Sequence, residues 1–107
     1  MQPAYCIVMT TVSDAEVGKR IIDALLAGRL AACVQVLPIT SYYTWKGAVS
    51  TDAENLLLIK TRAALYAQVE ACIKAQHSYD VPEIVQVPIT AGSAAYLGWI
   101  DDVTLES

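Results

Sequence analysis

The sequence predicts a mixed α+β domain of order β-α-β-β-α-β with a short helix at its end. Three observations carry that expectation. Apolar runs rich in strand formers, at residues 5–11, 30–36 with 42–45, 55–61 and 83–89, alternate with two stretches of helical periodicity. The 107 residues suit a single domain, taken as residues 1–107. The chain is 55% hydrophobic and only 17% charged, whereas domains average about 45–50% and about 25%. Such a composition excludes a disordered chain. The surplus of apolar side chains in so small a domain predicts burial between subunits.

The first strand, residues 5–11, centres on Ile7 and Val8. Ser13 and Glu16 then stand at capping-box spacing, with Ser13 as the expected N-cap. Val17, Ile21 and Leu25 follow on one helical face, and Gly28 is the expected left-handed stop. From Leu30 the pattern turns extended and is interrupted at Pro38, where a bulge or a sheet-edge position is expected. Lys46-Gly47-Ala48 supplies a turn, and residues 55–61 return as the partner strand. Arms of roughly 14–16 residues would reach about 50 Å at 3.3 Å per residue, so the hairpin should project beyond its own domain.

A second helix is expected to open at Thr61 or Arg62, with Leu65, Val69, Cys72, Ile73 and Gln76 on one face and Cys72 in the core. His77-Ser78-Tyr79-Asp80 is a polar loop, and residues 83–89 form a strand bracketed by Pro82 and Pro88. Gly92-Ser93 leads into the terminal helix. Strands and helices in this split order make a ferredoxin-like βαββαβ sandwich, with both helices on one face of an antiparallel sheet. Right-handed crossovers put the first and third strands at the centre, leaving the two proline-bearing strands at the edges.

Charge narrows the partners. Seven Lys and Arg stand against 11 Asp and Glu, a net charge of −4, and the cations are scattered from Lys19 to Lys74. No basic cluster is present to hold a phosphate backbone, so nucleic acid is not an expected partner. No run of roughly 20 apolar residues suggests a membrane span, and residues 1–12 carry no basic residue of the kind that opens a signal peptide. The three cysteines, Cys6, Cys33 and Cys72, are far apart and form no CxxC, which fits reduced thiols in a cytoplasmic protein.

The chemistry-bearing residues form two groups. No P-loop and no GxSxG nucleophile elbow occurs, and His77, Ser78 and Asp80 are too close in sequence to be a hydrolytic triad, so no enzymatic activity is expected. His77 with Asp80 and Glu83 offers imidazole and carboxylate for a divalent ion such as copper or zinc. One chain supplies a single His, so a neighbouring subunit would have to complete such a site; otherwise His77 serves to bond the last carbonyls of its helix. Met9 and Cys6 are soft ligands if they are not simply core side chains. Glu54 and Lys60, with Tyr79 and Trp45, are either solvated charges along the hairpin or the lining of an intersubunit pocket for a small anion or metabolite. Tyr42, Tyr43 and Trp45 crowd the hairpin tip, where a neighbouring subunit would cover them unless they form an aromatic cluster packed on their own hairpin.

Several motifs together resemble the CutA family of divalent-cation tolerance proteins over nearly the whole chain. They are Arg29-Leu30-Ala31-Ala32-Cys33-Val34, Tyr43-x-Trp45-x-Gly47, Glu54 ahead of Leu57 and Lys60-Thr61, His77-x-Tyr79-x-x-Pro82-Glu83, and Tyr96-Leu97-x-Trp99-Ile100. The resemblance implies a homotrimer built like the PII signalling proteins, with hairpins adding to neighbouring sheets. It also implies a link to tolerance of copper and other divalent metals, and a cytoplasmic location. Carried over residue by residue, the metal contact would use His77 and Glu83. Where the family has Cys on the first strand this chain has Met9, and its histidine pair is Gln76 and His77 here, with Ser78 in place of Pro. A weak contact is therefore expected, with no required cofactor. The rival implied by the same architecture is a signalling trimer that binds a metabolite or anion between subunits.

Overall fold

The computed structural model describes residues 3–106. It comprises β1 (Tyr5–Val12), α1 (Ala15–Ala27), β2 (Cys33–Trp45), β3 (Ala48–Arg62), a 3₁₀ turn (Ala63–Leu65), α2 (Tyr66–Gln76), β4 (Val85–Ile89) and α3 (Ala94–Val103). The sheet order is β2-β3-β1-β4 and every pairing is antiparallel. The ferredoxin-like order and the central placement of the first and third strands are as the sequence predicts.

Alternation along the strands builds the core. Cys6, Val8 and Val12 of β1 and Leu57 and Ile59 of β3 face Val17, Ile21 and Leu25 of α1 and Val69 and Ile73 of α2, all of them buried. Helix and sheet approach closely at Gly18, where a Cβ would stand 3.1 Å from the Val12 side chain. The opposite sheet face carries Ile7, Met9, Leu56 and Leu58, half-buried, with Val85 and Val87 exposed. Helix α3 reaches only one end of that face, where the Tyr5 hydroxyl donates to Asp101.

The hairpin overhangs. β1 pairs with β3 only from Asn55 to Arg62, so residues 48–54 and their β2 partners, residues 39–45, extend as a two-stranded ribbon. The molecule's longest dimension is accordingly 44 Å. Lys46 and Gly47 close the ribbon with φ of 51° and 79°, the paired positive dihedrals of a two-residue turn whose twist matches the strands.

Local details depart from expectation where a stronger partner competes. Asp14, not Ser13, caps α1, its carboxylate accepting the Glu16 amide at 2.8 Å; a charged acceptor outcompetes a hydroxyl. Gly28 is right-handed, and the left-handed residue is Arg29 at φ 55°. The amides of Arg29 and Leu30 bond Leu26 and Leu25 in a Schellman pattern. Arg29 in turn lies over the carbonyls of Val103 and Thr104, at 3.3 and 3.4 Å, so the strained residue fastens the C-terminal helix.

Pro38 sits without a bulge at an edge, opposite Asn55 in continuous register. Thr61 and Arg62 remain in β3 because they pair with Cys6 and Tyr5, which delays the second helix to Tyr66. Cys72 is half-buried against the core and not within it. β4 starts at Val85, where pairing with Met9 begins, leaving Pro82 and Glu83 in the loop.

Candidate functional site

A cleft of about 580 Å³ opens where the overhanging ribbon leaves β1 behind. One wall is the ribbon, contributing Tyr42, Tyr43 and Trp45 from β2 and Asp52 and Glu54 from β3. The other is the loop after α2, contributing Tyr79, Asp80 and Glu83, with Thr11 and Ser13 at the base. The topology dictates this place: β1 ends at Val12, opposite Asn55, so Glu54 is the first residue of β3 with no partner on that side.

Two phenols organise the carboxylates. Tyr79 Oη donates to Glu54 Oε2 at 2.6 Å, joining loop to ribbon. Burial, and then the bond to Glu54, push the Tyr79 hydroxyl above its ordinary pKa. The Tyr43 hydroxyl donates to Asp52, and chiefly through that bond its pKa is pushed up to about 12. Asp52, Glu54, Asp80 and Glu83 line the cleft together, and among the described residues no Lys or Arg lines it. Its electrostatics therefore favour a cation.

The sequence-predicted residues divide accordingly. Trp45, Glu54, Tyr79 and Glu83 meet in the cleft. Lys60 does not: it lies six residues from Glu54, about 20 Å along an extended strand, with its ammonium 5.4 Å from the Tyr96 ring centroid. Strand geometry thus keeps it out of the cleft formed within one chain.

His77 stands behind the wall, its ring against Tyr79 at 4.6 Å. Its Nε2 is 2.8 Å from the Thr11 carbonyl oxygen, and its Nδ1 accepts the Tyr79 amide at 3.1 Å. The carbonyl it meets thus belongs to β1, not to the end of its own helix. Cys6 is buried on the helix side of β1, with its thiol pushed up by burial, and Met9 lies half-buried on the opposite face. Among the described residues, no three His, Cys, Asp or Glu side chains gather as a metal-ligand group within one chain.

Asp52 escaped the sequence reading. Its signal was the turn: with Lys46-Gly47 closing the hairpin, Tyr43 falls opposite Ser50, and Asp52 becomes its diagonal neighbour on the same face. Among the described residues, no helix is long and apolar enough to cross a membrane.

Comparison with known proteins bears on this arrangement. Residues 6–103 match the family model of the CutA1 divalent ion tolerance protein. The chain is 46% identical over 102 residues to "Protein CutA 1, chloroplastic" of Oryza sativa, covering 94% of this chain and 58% of the rice protein. It is 44% identical over 99 residues to the divalent-cation tolerance protein CutA of Thermus thermophilus, covering 92% of this chain and 96% of that one. The crystal structure of CutA1 from Oryza sativa superposes with a TM-score of 0.93 at 44% identity, covering 99% of this chain and 98% of that one. The chain thus spans little more than half the length of the plant relatives, and nearly all of the bacterial one.

Proposed function

The chain belongs to the CutA1 divalent ion tolerance family, and from that premise we propose that it is a non-enzymatic, cytoplasmic homotrimer that holds divalent cations, copper or zinc among them, weakly in its cleft. The observation that carries this reading is the lining: four carboxylates, two of them bonded by tyrosine hydroxyls, with no Lys or Arg among the described residues that line it. Carboxylate oxygens bind divalent ions, and a set without thiolate or several imidazoles favours modest affinity. Asp80 and Glu83 are the carboxylates that the sequence's metal group and the cleft have in common.

Assembly is supported by the sheet face that α3 covers at one end only and by the overhanging ribbon, on which Tyr42 and Trp45 are 74% and 53% exposed. Three free cysteines support a reducing compartment. Calorimetry with Cu²⁺ and Zn²⁺ tests the cleft: Glu83→Gln and Glu54→Gln should each weaken binding severalfold. Unchanged affinity in both would remove the cleft from the reading. Native mass spectrometry tests the trimer.

The volume and aromatic walls of the cleft also favour a second reading, a PII-like signalling trimer that binds a small metabolite. The acidic lining weighs against an anion as that ligand. Thermal stabilisation by an organic ligand that persists in excess chelator would support this reading over metal.

A further inference from the structure

His77 is the candidate metal ligand that the sequence singles out, yet its surroundings leave no ring nitrogen free. The Tyr79 main-chain N–H can only donate, so Nδ1, which receives it at 3.1 Å, must present its lone pair. The Thr11 carbonyl can only accept, so Nε2, 2.8 Å away, must carry the proton. One neutral tautomer satisfies both bonds. A metal needs a lone pair on the ring, and the one that exists is already engaged. To ligate, the imidazole would have to abandon either the Tyr79 amide or the Thr11 carbonyl, leaving a shielded polar group without its partner.

The same two bonds give the ring another task. Thr11 belongs to β1, and Tyr79 belongs to the loop that walls the cleft and reaches Glu54 on β3 at 2.6 Å. The sequence of contacts runs Thr11, His77, Tyr79, Glu54, crossing from the end of β1 to the base of the ribbon. The imidazole also packs against the Tyr79 ring, tilted by 46° with centroids 4.6 Å apart, which adds a second hold on the same residue.

We infer that His77 is a positioning residue of the cleft, locked as the Nε2–H tautomer so that it orients the Tyr79 phenol toward Glu54, and that it does not ligate the ion. The functional half of this inference rests on the cation reading above; the tautomer and the hold on Tyr79 do not. The imidazole shapes the cleft, and the carboxylates meet its occupant.

Nitrogen-15 NMR of the intact wild-type protein tests the assignment without a variant. The metal-free spectrum should show His77 with Nδ1 unprotonated and Nε2 protonated, and added Zn²⁺ should move resonances of the acidic cleft while leaving both ring nitrogens in place. An Nδ1–H tautomer without metal, or a ring nitrogen shifting to a metal-bound position with Zn²⁺, would overturn the inference. In His77→Ala, with the fold verified by circular dichroism, the Tyr79 ring should lose its fixed placement, and its nuclear Overhauser contacts to the Glu54 side chain should weaken. Unchanged Tyr79–Glu54 contacts would overturn the positioning role. If Zn²⁺ moves no cleft resonance, the cation reading fails, while the tautomer and the Tyr79–Glu54 contacts still decide the role of His77.

Discussion

Tyr43 on β2 donates its phenolic proton to Asp52 on β3, a diagonal bond across the part of the hairpin that has no third strand beside it. The bond holds the proton on Tyr43 until about pH 12, where an unconstrained phenol loses it near 10.

The pH dependence follows from that direction. A group whose pKa is raised in the folded state stabilises the fold fully below its unfolded value, and the contribution disappears as pH climbs through the folded value. The melting temperature of the wild type should therefore exceed that of Tyr43→Phe by a constant margin from pH 7 to about 9. The margin should vanish between about 10 and about 12. Ultraviolet tyrosinate titration of the two proteins should differ by one phenol titrating late. A margin that persists at pH 12 would show that the bond to Asp52 is not its source.

Tyr79 and Glu54 form the other phenol–carboxylate pair, and this one joins two elements distant in sequence. A hydrogen bond to a charged acceptor contributes about 1.5–3 kcal/mol, less where water competes. Tyr79→Phe should cost about 1–2 kcal/mol in urea unfolding, and a double-mutant cycle with Glu54→Gln should show the two losses to be non-additive. Strict additivity would mean that the loop is held by packing alone.

The turn gives a cleaner backbone test. Gly47 has φ 79°, and a Cβ there would meet nothing within 4 Å. Gly47→Ala should cost about 1 kcal/mol, all of it from the left-handed conformation. The cost should appear in chemical unfolding without loss of the aromatic near-ultraviolet signal. A neutral substitution would mean that the ribbon re-forms its turn in another type.

How far these features were legible depends on the range of the interaction that sets them. Element order and edge placement followed from periodicity and from prolines, since both are local. The joining of Trp45, Glu54, Tyr79 and Glu83 was partly legible, because the length of the hairpin implies a ribbon beyond β1. Lys60 stands apart from the cleft of one chain because a shared strand face says nothing about the distance along it. Asp14 displaced Ser13 as cap, and Arg29 took the left-handed position beside Gly28, through contacts a few residues away or with α3. The bond of His77 to Thr11 was not legible at all, since Thr11 lies 66 residues away and the contact is to its main chain.

Leu58 and Ile59 are neighbours on β3 that face opposite sides of one sheet, and they separate folding from assembly. Ile59 is fully buried between sheet and helices, so Ile59→Ala should cost about 2–5 kcal/mol and lower stability at any protein concentration. Leu58 is half-buried on the face opposite α1 and α2, beside Met9 across the ladder. A carboxylate there meets water in an isolated chain but is trapped without a partner if a second copy covers the face. Leu58→Glu should therefore leave far-ultraviolet circular dichroism intact while shifting the sedimenting species from the wild-type assembly to a single chain. If the wild type already sediments as one chain, or if Leu58→Glu retains the wild-type mass, the uncovered face is not the surface through which copies associate.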